Sequence, residues 1–144
     1  MKNFSLENRV YLEDTDAQGV VYNASYFRFF ERARTEWLRD RLIKHNIIKS
    51  DYGISLVLSK IEVKFISPAR LDDLIVITAD IKNISGAKII FTQSIYKDSL
   101  NGQLLSSGIA EVACMDTITS RPVRIPQSLM DELRQWIQIY QLLA

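Results

Sequence analysis

From about Tyr22 to Leu42 the chain has neither glycine nor proline, and Tyr26, Phe30, Ala33 and Trp37 recur at helical spacing on one face. Phe27, Phe29 and Leu38 widen that face to roughly half the circumference at about 100° per residue, while Arg28, Arg32, Thr35 and Arg39 share the other side. A helix this apolar needs a broad surface wrapped against it. Four strand-like stretches follow, and no second helix is expected before the C-terminus. Residues 54 to 66 alternate at Ile61, Val63 and Phe65 and stop at Ser67-Pro68; Ile75, Ile77, Ala79 and Ile81 then alternate with Val76, Thr78 and Asp80. Ser85-Gly86 reads as a hairpin turn into residues 88 to 96, and Asn101-Gly102 is the strongest hairpin signal, leading into a strand from about 103 to 115. A first strand is expected over residues 6 to 12. Ser128 is expected to cap a helix through Leu143, with Leu129, Leu133, Trp136, Ile137 and Tyr140 on one side. This order belongs to the α+β class, with an antiparallel sheet curled around one long helix.

The 144 residues, 47% of them hydrophobic, fit a single domain with its own core. A net charge of +1 gives no field strong enough to make nucleic acid or an anionic membrane the main partner. Residues 1 to 9 contain no apolar run like a signal-peptide core, and no later stretch approaches the ~20 apolar residues of a membrane span. A cytoplasmic protein without a span is expected. The lone Cys114 excludes an internal disulfide, and its neighbours Ile109, Val112, Ala113 and Met115 mark a buried strand residue. The lone histidine, His45, rules out a His-rich metal site and would have to serve any Ser-His-Asp or Cys-His site by itself. It falls at the frayed end of the long helix, where a solvated cation suits the helix dipole. Hydrolytic chemistry in this chain should be led by a carboxylate.

The carboxylates to consider lie in Asp14-Thr15-Asp16-Ala17-Gln18-Gly19, one short turn before the helix. The opening resembles an EF-hand loop, but Gln18 stands at the fifth position, Ser25 at the twelfth, and the preceding segment reads as strand, so no metal is expected. For Asp14 the better reading is structural, accepting backbone N–H bonds to fix the turn. A second carboxylate beside free helix-start N–H groups is a different matter. The acid can attack or activate water, and the N–H groups can hold negative charge developing on a carbonyl oxygen.

Three blocks carry a family resemblance: Val10-Tyr-Leu-Glu-Asp-Thr-Asp-Ala-Gln-Gly-Val-Val-Tyr-Asn-Ala-Ser-Tyr26, Glu31-Arg-Ala-Arg34, and Phe65-Ile-Ser-Pro-Ala-Arg-Leu-Asp-Asp73. Together they resemble the hotdog-fold thioesterases of the 4-hydroxybenzoyl-CoA type, most closely the Tol-Pal-associated acyl-CoA thioesterases. The resemblance implies an acyl-CoA thioester hydrolase without a cofactor, acting as a homo-oligomer, a dimer or a dimer of dimers (homotetramer), with active sites at subunit interfaces. It places Asp16 on the family's catalytic carboxylate, and Asn23 where a backbone N–H polarises the thioester carbonyl, with Tyr22 beside it in the substrate site. Close relatives usually carry histidine at the position of Asn23; the N–H survives that exchange and the side chain's role does not. A thioester suits carboxylate chemistry, since thiolate leaves readily.

Other residues have competing roles. Glu31 is a second candidate acid, against a structural ion pair with Arg34 three residues on. Arg70, Lys88 and Lys60 are candidate contacts for CoA phosphates, against the plainer role of solvated cations. Trp37 and Trp136 read as helix packing. The rival function is a hotdog protein that binds acyl-CoA or acyl carrier protein without turnover. A hotdog dehydratase would need a histidine paired with an acid, and His45 has no supporting motif. Acyl preference, and CoA against acyl carrier protein as the carrier, stay open at the level of sequence.

Overall fold

The computed structural model describes residues 4–143, with side chains described as far as Ile137. In chain order the elements are β1 (Ser5–Arg9), a 3-10 turn (Leu12–Asp14), α1 (Asn23–Asp40), α2 (His45–Tyr52), β2 (Ile54–Phe65), β3 (Leu74–Thr78), β4 (Asp80–Ser85), β5 (Lys88–Lys97), β6 (Leu104–Asp116) and α3 (Gln127–Leu143). The strands form one antiparallel sheet in the order β1-β3-β5-β6-β2, with β4 also paired to β5. The sheet wraps α1, which is the hotdog arrangement implied by the sequence. No helix among the described residues is long and apolar enough to cross a membrane.

The inward face of α1 is the predicted one. Tyr26, Phe29, Phe30, Ala33, Trp37 and Leu38 are all buried in one core with Ile75, Ile77, Ile89, Phe91, Ile95 and Leu105 from the sheet. Trp37 meets Phe91 edge to face at 5.8 Å between ring centroids. Phe27, predicted on this face, is instead 38% exposed. Cys114 is fully buried, and burial pushes its thiol up from the ordinary cysteine value.

β3 and β4 behave as one strand. Ile77 pairs with Ile95 and Asp80 with Thr92 in an unbroken register, and the first shift comes only between Ile81 and Asn83. At the break, side chains replace the ladder. Thr78 Oγ1 accepts from the Ser94 N–H at 2.9 Å, and Gln93 Nε2 donates to Thr78 O at 3.2 Å and to Phe30 O at 2.9 Å.

Four sequence expectations are corrected. The first strand ends at Arg9, because residues 12 to 14 turn into the 3-10 segment. His45 opens the short helix α2 rather than fraying from α1; two helical turns with Ile48 alone buried give too short a period to read from sequence. Ser128 lies inside α3, and its hydroxyl meets Tyr52 Oη at 3.0 Å instead of capping. Tyr140's side chain lies outside the described residues. The turn at Asn101-Gly102 is placed correctly but is not a two-residue hairpin: Lys97 N donates to Gln103 O at 2.9 Å, and the left-handed residue is Asp98 (φ 66°).

Gly102 is required there for space, since a Cβ would collide with the Lys97 carbonyl oxygen. Gly102→Ala is expected to cost about 1–3 kcal/mol, as overpacked sites do, and Phe30→Ala about 3–5 kcal/mol through lost burial and a cavity. Urea unfolding of the two variants checks both values.

Candidate active site

The turn that follows Asp14 is built by local hydrogen bonds. Asp16 N donates to Val20 O at 2.9 Å, Gly19 N donates back to Asp16 O at 3.1 Å, and Gly19 takes φ +76°, which glycine adopts without strain. Asp16 Oδ1 accepts the Gln18 N–H at 2.8 Å. Its Oδ2 has no partner among the described residues, and the side chain is exposed. One oxygen therefore orients the carboxylate and the other is free to react.

Asp14 has the opposite character, as its sequence reading expected. It is 5% exposed, its Oδ2 accepts the Tyr11 N–H at 2.9 Å, and its carbonyl accepts both Tyr22 N at 2.9 Å and Ser25 Oγ at 3.1 Å. These bonds bring the helix start up against the turn. α1 then begins at Asn23, with Tyr22 as N-cap residue but without a side-chain cap. The N–H groups of Asn23 and Ala24 have no partner among the described residues. They are uncommitted donors at the positive end of an 18-residue helix, a few residues from Asp16.

A second segment locks this arrangement in place. Val21 N donates to Ala69 O at 2.8 Å, Leu71 N donates to Gly19 O at 3.1 Å, and Val20 pairs with Arg70 in an isolated bridge. Ala69 N donates to the Tyr26 hydroxyl oxygen at 3.1 Å, and Asp73 Oδ2 accepts Arg70 N at 2.9 Å. Burial, chiefly, holds the Tyr26 hydroxyl above its usual pKa, so it stays protonated. The first and third sequence blocks are thus two sides of one structure. Tyr26 and Asp73 escaped the sequence reading as site residues, although both lie within the quoted blocks.

The predicted substrate residues divide. Tyr22, 59% exposed, and Asn23 stand at the helix start, and Arg70 lies beside the turn through its bridge to Val20. Lys88 is elsewhere: it begins β5, whose other end lies near the turn, and its Nζ is 3.2 Å from Glu111 Oε1. Lys60 pairs with Glu62 at 3.3 Å. The expected Glu31–Arg34 pair is not formed. Arg34 Nη1 instead donates to Gln93 Oε1 at 3.0 Å, and Glu31 Oε1 accepts from Thr35 Oγ1 at 3.3 Å. The signal for Gln93 was a polar residue at an inward position of a strand. Trp37 is core, as read, and Arg41 stacks on its ring at 3.7 Å and over Trp136 at 5.1 Å. A cavity of about 730 Å³ over Glu7, Thr78, Asp80, Ser94 and Tyr96 contains none of the predicted site residues.

Residues 10–137 match the thioesterase-like superfamily. The acyl-CoA thioester hydrolase YbgC of Escherichia coli O6:H1 is 39% identical over 127 residues, which cover 88% of this chain and 92% of that protein. The acyl-CoA thioesterase YbgC of Haemophilus influenzae is 37% identical over 126 residues, 88% of this chain and 90% of that protein. Among solved structures, a probable thioesterase from Bartonella henselae superposes with a TM-score of 0.80 at 33% identity, covering 87% of this chain and 100% of that one.

The clamp around the turn predicts a stability effect separate from any activity. Asp14→Ala leaves the Tyr11 N–H without its acceptor and is expected to lower stability by about 1–3 kcal/mol. Asp16→Asn, at an exposed position, should change stability by no more than ~0.5 kcal/mol. Thermal and urea unfolding of both variants checks the contrast.

Proposed function

This chain belongs to the thioesterase-like superfamily, and on that premise we propose that it hydrolyses acyl-CoA with Asp16 as catalytic carboxylate and the Asn23 N–H as carbonyl-polarising donor. The observation that carries this reading is the pairing of a half-free carboxylate with uncommitted helix-start N–H groups across one rigid turn. The thioester oxygen would accept from Asn23 N–H, where charge developing on it is stabilised by the donor and the helix dipole. Asp16 Oδ2 would then either attack the carbonyl carbon, expelling the CoA thiolate and leaving an acyl-aspartyl anhydride that water hydrolyses to the free acid, or take the proton of a water that attacks the carbon directly and expels the thiolate. A protein that only bound acyl-CoA would need neither a free carboxylate oxygen nor an aligned donor. Tyr22 and Arg70, both exposed beside the turn, are assigned to the substrate, with Arg70 suited to a phosphate. Lys88 would reach a substrate only from another subunit.

A homo-oligomer completes the site. β2 is a twelve-residue strand at the end of the sheet order, and its exposed apolar side chains include Val57 (46%), Leu58 (41%) and Phe65 (49%). A long, apolar, unpaired edge recruits a second strand. Asp16 and Asn23 are both open to solvent in one protomer, so a neighbouring copy would also exclude water from the reaction. We place the protein in the cytoplasm, with CoA as the carrier and acyl carrier protein as the alternative to be compared in the same assay.

Three outcomes test the reading. Asp16→Asn should lose at least about 10²-fold in kcat/KM for thiol release from acyl-CoA; equal release by both proteins would move the chemistry to another carboxylate. Asn23→Pro is the sharper variant. Proline is tolerated at the first helical position, and Tyr22, at φ −66° and ψ 139°, already has the conformation proline demands of its predecessor. The helix should survive while the N–H is lost, lowering kcat about 10²-fold, whereas Asn23→Ala retains the donor and most of the rate. Light scattering should give at least twice the chain mass, and a fully active monomer would exclude the shared site.

A further inference from the structure

Resting on the thioesterase reading, we propose that the cavity between α1 and β2 receives the far end of the acyl group and selects one that terminates in a carboxylate. The cavity holds about 290 Å³, with Glu31, Arg34, Thr35 and His45 along its rim and Leu38 and Leu58 among its apolar walls. It lies on the line the acyl group would follow. α1 and β2 run antiparallel: the Phe65 ring packs edge to face on Tyr26 at 5.3 Å near the helix start, and Leu56 and Leu58 face Glu31 and Leu38 farther along. Between these ends α1 carries Phe27, 38% exposed, and β2 carries the half-buried Ile61 and Val63, so both elements offer apolar side chains along the route assigned to the acyl chain from Asn23. Eleven residues separate Asn23 from Arg34, about 17 Å along a helix.

Arg34 is the reason for the choice of ligand. It is 6% exposed, yet its one hydrogen bond is from Nη1 to the neutral Gln93 Oε1 at 3.0 Å. Its Nε and Nη2 have no protein partner among the described residues, and no carboxylate lies within ion-pair distance. A largely buried guanidinium gives up much of its hydration without an anion in return, and a carboxylate docking from the cavity on its two free donors in fork geometry would offset that cost. Desolvation pulls the Arg34 pKa down, and only the charge of Glu31 opposes it. Around the guanidinium, Thr35 Oγ1 stands 3.3 Å from both Glu31 Oε1 and His45 Nε2, so the rim already links three polar side chains from α1 and α2. Glu31, exposed at the rim, is the repulsive member of the set.

The test compares kcat/KM of the full chain for alkyl acyl-CoAs with that for their ω-carboxy counterparts across a range of lengths. Near the length that spans the route, about fourteen carbons because a zigzag chain of ~1.5 Å bonds advances roughly 1.25 Å per bond, the ω-carboxy ester should be preferred about tenfold or more. Arg34→Gln should bring that ratio toward one, and Glu31→Gln should raise it, an opposite sign that mere loss of packing would not produce. Should Arg34→Gln fail to fold, the rim variants Glu31→Gln and Thr35→Val decide, the latter lowering the ratio. Calorimetric binding of the same esters to Asp16→Asn reads the ratio without turnover. Absence of hydrolysis therefore overturns the thioesterase reading alone, and the binding ratio still judges the pocket. A ratio of one or less at every length, or one that Glu31→Gln leaves unchanged or lowers, overturns the proposal.

Discussion

Burial of one helix face organises this protein. Tyr26, Phe29, Phe30 and Trp37 present more aromatic surface than a two-layer helix contact could cover, and each fully buried ring stabilises the fold by roughly 1.5–3 kcal/mol. The sheet meets that demand by curving around α1, with β3 and β4 carrying one register past Ala79 so that Ile75, Ile77, Ala79 and Ile81 all face inward. Gln93 completes the contact by joining the strand break to the Phe30 carbonyl and to Arg34. Once the helix is fixed in the curve, its N-terminus stands beside the turn that carries Asp16, where the proposed site lies.

The site depends on that fixed end in two ways. The helix supplies N–H groups that its own geometry leaves unpaired. The segment after β2 then holds the turn against it through Ala69, Arg70 and Leu71, with Tyr26 as a common post. Asp14 and Asp16, two residues apart, differ by environment: one is buried, with its Oδ2 on the Tyr11 N–H, and the other is exposed, with its Oδ2 open to solvent. Carboxylates in different surroundings take different roles for the same reason in many hydrolytic sites.

Much of this was legible in the residues. The long helix and its buried face follow from spacing, the strands from alternation, and the structural role of Asp14 from turn chemistry. The unread parts share a physical cause, since each depends on contacts distant in sequence. α2 is too short to show a period and is stabilised by the sheet beside it. The Arg34 partner is 59 residues away, so local i, i+3 reasoning chose Glu31 instead. Gly102 matters because of a carbonyl five residues back, which favours glycine for space where its neighbour Asn101 suggested a hairpin of another kind. Lys88 was read from its charge alone, and its neighbour Glu111, 3.2 Å away across two strands, is likewise distant in sequence.

The most direct measurement is a crystal structure of the protein with a non-hydrolysable acyl-CoA analogue in which a ketone replaces the thioester. The account predicts the ketone oxygen at about 2.7–3.1 Å from Asn23 N, and the carbonyl carbon at about 3–3.5 Å from Asp16 Oδ2 or from a water held by it. A carbonyl seated beside Glu31, with Asp16 turned away from it, would contradict the account.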